Sequence, residues 1–180
     1  MKKILALFLT CTLLLSVCAL FASADPVTFK PETKNSKIYG IPANTTLKHF
    51  KNAYYNAVIA VYDLEGRKIG NDSVIGTGFT VKINSIQHTA VVKGDIDGDG
   101  LIKPYDYILV KRAYLGTGVT LTDLQLEAAD VDVANGKKLS AMNYIKIKRA
   151  YMGTYNINNK YTCEPYDPEA EESGWTPGWV

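Results

Sequence analysis

Cysteine, histidine and tryptophan are all scarce in this chain of 180 residues, with three, two and two respectively. Cys11 and Cys18 lie in an apolar run near the start and Cys163 stands alone, so the rest of the chain has no internal disulfide and no cysteine-based metal centre. The only histidines are His49 and His88, and there is no G-x-S-x-G element, so nucleophilic catalysis has no visible nucleophile–base pair. Charge of one sign is missing too. Lys and Arg number 20 against 18 Asp and Glu, a formal net charge of +2, which argues against a basic surface for nucleic acid or anionic membrane.

Long apolar runs are absent except at the start. Lys2 and Lys3 precede Ile4–Phe21, and Ala22-Ser23-Ala24 follows with small residues suited to signal peptidase. Residues 1–24 therefore read as a cleaved export signal, and the mature protein is expected to be secreted, extracellular or held at the cell surface through a partner. Removing them takes away two lysines and no acids, which leaves a formal charge of zero and no membrane attachment.

Carboxylates, by contrast, are concentrated. In GDIDGDGLIKPYD (94–106), Asp95, Asp97 and Asp99 alternate before Gly100, and Asp106 follows. With Asp95 as position 1, the Leu101 carbonyl is position 7 and Asp106 position 12 of a twelve-residue calcium loop. A hard cation takes six to eight oxygens at about 2.3–2.6 Å, and alternate residues of a tight loop turn their side chains inward. Without a cation these acids repel one another, so the ion is expected to act as a folding nucleus.

A second copy follows. YILVKRAYLGT (107–117) returns as YIKIKRAYMGT (144–154), a period of 37 that marks a duplicated unit. Each copy reads as a helix ending at a glycine, Gly116 or Gly153. Thr122 and Gln125 predict a capping box for a short helix over 123–129. Tyr107, Val110 and Tyr114, repeated as Tyr144, Ile147 and Tyr151, form the stripe expected to pack the copies together. Ile108, Lys111, Arg112 and Leu115, repeated as Ile145, Lys148, Arg149 and Met152, form a neighbouring stripe suited to a partner with an apolar centre and an acidic rim.

The terminal aspartate, the Lys-Arg pair in each helix and the short helix between the copies resemble a type I dockerin over residues 94–157. The resemblance implies calcium on Asp95, Asp97, Asp99, the Leu101 carbonyl and Asp106. It implies docking to a cohesin module of a scaffolding protein, in the setting of polysaccharide degradation. It places recognition on Pro104, Tyr105, Lys111 and Arg112, and in the second copy on Ala141, Met142, Lys148 and Arg149. The second loop departs from the pattern. Read from Asp130 to Asn143 it is two residues too long, and keeping Asp130, Asp132, Asn135 and Asn143 as ligands leaves two formal charges where the first loop has four. Weaker calcium binding there, or a loop held by packing alone, is expected.

Ahead of it, residues 25–36 read as an extended linker. Residues 37–93 read as strands over 37–39, 58–62, 80–84 and 88–92 with one helix over 46–54, capped by Thr45. The fold class expected is α+β: a small strand-rich module with one helix, then an all-α domain of two loop-helix units. With no Gly/Ser linker at Lys93, the two parts are expected to sit in a fixed relation and share an interface. Residues 158–180 read as a disordered acidic tail with two tryptophans. The function expected is non-catalytic docking. The alternative is an enzyme, an inhibitor or a carbohydrate-binding protein whose active part is 37–93, with the duplicated unit as its address.

Overall fold

Apolar and polar residues alternating at period two build the sheet in the computed structural model, which describes residues 31–54, 56–132 and 139–157. The elements are β1 (Glu32–Lys34), β2 (Lys37–Ile41), α1 (Leu47–Asn52), β3 (Ile59–Tyr62), β4 (Thr80–Ile83), β5 (Ile86–Val92), α2 (Pro104–Tyr114), α3 (Asp123–Ala129) and α4 (Ala141–Tyr151). The sheet runs in the order β1-β2-β5-β4-β3. β2 and β5 are parallel and every other pairing is antiparallel. Two hairpins turn on Asn-Ser pairs: Asn35-Ser36 and Asn84-Ser85 all have positive φ, the twist that two-residue hairpin loops require.

The parallel pairing needs a crossover, and α1 opens it. The Thr46 hydroxyl accepts from the His49 amide to cap this helix, while Thr45, the expected cap, donates its hydroxyl to the Pro42 carbonyl. Leu47 and Phe50 then pack with Ile38, Ile41, Val61, Val81, Ala90 and Val92. A second apolar cluster gathers Ile96, Val110, Leu121, Ala129, Val131 and Ile147 beneath the later helices. Burying side chains of this size contributes about 1.5–3 kcal/mol each.

Two expectations are corrected here. The chain is not a small module followed by an all-α domain. The described residues form a mixed α/β structure of one five-stranded sheet and four helices, and they fall in one compact unit. The reason lies in bonds that cross position 93. Lys93 donates to the carbonyls of Glu127 and Asp130, and Gly94 N–H donates to the Ala128 carbonyl. Glu127 of α3 binds Lys37 and Tyr39 of β2 at 2.7 and 3.0 Å, which ties the helix to the sheet. The expected linker is also partly structured, because Glu32–Lys34 pairs with β2 as an edge strand. Residues 1–24 and 158–180 lie outside the described residues.

Candidate metal centre and docking faces

Asp95, Asp97 and Asp99 each place a carboxylate oxygen within 4.8 Å of the others, the only such group among the described residues. The cluster is positioned to hold a metal ion, and an all-oxygen donor set suits a hard cation. The loop around it is knitted by its own acids. Asp97 accepts from the Asp99 amide at 3.2 Å, and Asp99 accepts from the Leu101 amide at 2.9 Å and pairs with Lys103. Asp106, fully buried, closes the loop from the first turn of α2. One of its oxygens accepts from the amides of Ile96 and Asp97 and the other from that of Lys103.

Asp95 is fully buried, like Asp106, and its partners come from two directions. Within the loop it accepts from the Gly98 and Gly100 amides at 2.8 and 3.0 Å. From the segment before β4 it accepts the Thr77 amide at 2.7 Å. That contact is possible because glycines line it on both sides. A Cβ on Gly76 would lie 1.9 Å from the Gly98 carbonyl oxygen, and one on Gly100 would lie 2.6 Å from the Ile75 carbonyl oxygen. Asn44 N–H donates to the Gly100 carbonyl at 2.7 Å from the same side. Burial pushes the Asp95 carboxyl up to about 6 against the opposing pull of its three amide donors, and burial raises Asp106 as well. A cation would restore the ionised forms.

The second loop needs a correction of register. Asn143 holds the place of Asp106: it is buried at the first turn of its helix and accepts from the Ser140 amide at 2.8 Å, as Asp106 accepts from Lys103. Asp132 is buried like Asp95. Both pairs are 37 apart, the same offset as the helices, so the loop has twelve residues from Asp132 to Asn143 and no insertion. Asp130 is the C-cap of α3, and its carbonyl accepts from Lys93. Asn135 lies outside the described residues. In this register positions 3 and 5 are Ala134 and Gly136, so the loop carries one carboxylate, Asp132. That carboxylate is bonded at 2.9 Å by Lys146, whose pKa the contact raises.

Helices α2 and α4 pack through Val110 and Ile147, both fully buried, with Tyr107 and Tyr144 half-buried beside them. The last tyrosine of each stripe is more open than expected. Tyr114 and Tyr151 are 45% and 50% exposed, although Tyr114 still lies 5.8 Å from the Tyr144 ring. The neighbouring stripe is exposed in both copies: Ile108, Lys111, Arg112 and Leu115 on α2, and Ile145, Lys148, Arg149 and Met152 on α4. Of the loop positions, Pro104, Tyr105 and Met142 are exposed and Ala141 is half-buried. Arg112 and Arg149 also brace their own helix ends by donating to the carbonyls of Thr117 and Thr154, each at 3.2 Å.

Sequence reasoning missed Thr77, Gly76, Lys146 and Glu127. Lys146 had a visible signal, since it replaces Leu109 in an otherwise similar repeat, and extending the offset of 37 into the loop pairs Asp132 with Asp95. Nothing in the sequence pointed to Thr77, because its contribution is a backbone amide. A cleft of about 610 Å³ lies between β1–β2 and α3 and includes Lys37, Tyr39, Lys93, Glu127 and Asp130. Its Glu127 is bonded to Lys37 and Tyr39, which gives it a structural task. Comparison with known protein families, curated proteins and solved structures finds no match to this chain.

Proposed function

We propose that this chain is a secreted, non-catalytic docking protein. Its first loop binds calcium, and its α2 and α4 faces attach it to a cohesin-type module on a scaffold, in the setting of polysaccharide degradation. The observation that carries the reading is the repetition of one exposed face. Two apolar residues flanking a Lys-Arg pair stand open to solvent on both helices, at the same offset of 37, while the stripe beside them is buried at Val110 and Ile147. Apolar side chains held open next to cations suit a receptor with an apolar centre and an acidic rim. Calcium is favoured over magnesium because alternating aspartates around a Gly100 turn, with a further acid at the twelfth position, offer many flexible oxygens.

The test is capture of a scaffold module by the immobilised full chain, in calcium and in chelator. Capture is expected only with calcium, and Asp95→Asn abolishes it. The combined variant Lys111→Glu, Arg112→Glu, Lys148→Glu and Arg149→Glu is expected to keep its circular dichroism and its calcium uptake and to lose capture by at least about tenfold. Equal capture by that variant, or capture undiminished by chelator, refutes the reading.

A further inference from the structure

The two loop-helix units correspond position by position at an offset of 37, and two of their differences, Lys146 and Tyr155, meet in the second unit. Asp95 corresponds to Asp132, Asp106 to Asn143, Leu109 to Lys146 and Gly118 to Tyr155. In the first unit Leu109 packs against the apolar cluster under the helices. In the second unit the Lys146 ammonium lies 2.9 Å from Asp132 Oδ1 and 5.7 Å from the centre of the Tyr155 ring. The Asp132 side chain is 7% exposed and that of Lys146 20% exposed, so the pair is largely shielded from water.

A carboxylate at that depth needs a counter-charge, because an ionised group without one is strongly disfavoured in a buried setting. The first loop gathers four carboxylates, a concentration that a divalent cation relieves. The second has one carboxylate, Asp132, with the neutral Asn143 in place of Asp106, and the Lys146 ammonium is bonded directly to it. The Tyr155 face adds a cation-binding surface within 5.7 Å of the ammonium, and this ring too is peculiar to the second unit.

We propose that the Lys146 ammonium takes the place of a metal ion in the second loop, pinning the first-position carboxylate Asp132 so that this half of the duplicated unit folds without metal. The chain then binds one ion and not two. This rests on the metal reading of the first loop for its contrast, and on the Lys146–Asp132–Tyr155 geometry for its substance.

The experiment combines calcium titration of the full chain with amide hydrogen exchange of α4, for the wild type, Lys146→Leu, Lys146→Arg and the double variant Asp132→Asn/Lys146→Leu. One calcium per chain is expected. Lys146→Leu is expected to lower protection of the α4 amides about tenfold or more, in calcium as in chelator, by removing the ammonium bonded to the buried Asp132 carboxylate. Lys146→Arg keeps the charge and most of the protection. The double variant, which removes both charges, recovers most of what Lys146→Leu loses, and it decides the matter if the single variant does not fold. A second calcium bound by the wild type overturns the proposal, as does unchanged α4 protection in Lys146→Leu. A wild type that takes up no calcium overturns the metal reading of the first loop, and the α4 protection of the variants still decides the role of Lys146.

Discussion

Gly76→Ala tests how closely the metal loop depends on the sheet. Gly76 does not have a positive φ, so alanine is acceptable to the backbone and the effect is steric. The added Cβ would lie 1.9 Å from the Gly98 carbonyl oxygen, where ordinary contact begins at 3.4 Å, so the loop must retreat by about 1.5 Å. A retreat of that size stretches the bond from Thr77 N–H to Asp95, now 2.7 Å, beyond hydrogen-bonding range. Losing a hydrogen bond to a charged group costs about 1.5–3 kcal/mol, and overpacking adds about 1–3 kcal/mol. Urea unfolding in calcium should therefore show a loss of roughly 2.5–6 kcal/mol, and calorimetric titration an affinity for calcium weaker by at least about tenfold. Gly70→Ala is the control. Its Cβ would meet nothing closer than Ser73 Oγ at 3.8 Å, and it should stay within about 0.5 kcal/mol of the wild type. A Gly76→Ala protein that matches this control in both assays refutes the clamp between residues 74–78 and the loop.

Two further outcomes follow from the charged groups. In chelator, Asp95 has a native pKa of about 6 against an unfolded value of 3.8, so between these pH values the native state binds more protons than the unfolded chain. The stability associated with Asp95 is then fully present below pH 3.8 and is lost as pH rises through about 6, by roughly 3 kcal/mol, with Asp106 acting in the same direction. Urea midpoints at pH 4.5 and 7 should show the decline, and saturating calcium should remove or reverse it. At the other side of the unit, burial first and Glu127 second push Tyr39 up to about 12. Glu127→Ala should lower that pKa in a spectrophotometric titration while leaving it above 10, and should cost about 1–2 kcal/mol in urea unfolding, since Lys37 and Tyr39 lose their shared partner.

How much of this was legible depends on the range over which each feature is determined. The acidic loop, the capping box at Thr122 and Gln125 and the strands ending at Tyr62 and Val92 are local patterns, and they stand where periodicity and spacing put them. The short helix over 123–129 has the predicted bounds because both of its cap groups are encoded within four residues. Joining the helices to the sheet was not legible as a single fold. It depends on Lys37 and Tyr39 meeting Glu127, about ninety positions away, and on a backbone amide at Thr77 that no residue type announces. The second loop was misread for a different reason. Asp130 attracted the alignment because it is acidic, whereas depth of burial singles out Asp132. The exposure of Tyr114 and Tyr151 likewise shows a helical stripe running past the end of its partner surface.

The parallel pairing of β2 with β5 has a mechanical consequence. Suppose α2 and α4 are held and the chain is pulled from the side of β1. β1 and β2 form a hairpin with its open end at Glu32 and Tyr39, so tension there peels the pairs apart in turn, from Glu32 to Lys34. The load then enters β2 at Lys37 and leaves β5 beyond Val92, at opposite ends of two parallel strands whose register runs from Lys37 beside Thr89 to Ile41 beside Val92. In that geometry the bonds between the strands are loaded together in shear, and the bonds from Lys37 and Tyr39 to Glu127 are stretched alongside them. Under tension the protein yields at its edge hairpin and resists at its centre, and its lifetime there is governed by the rate of unfolding.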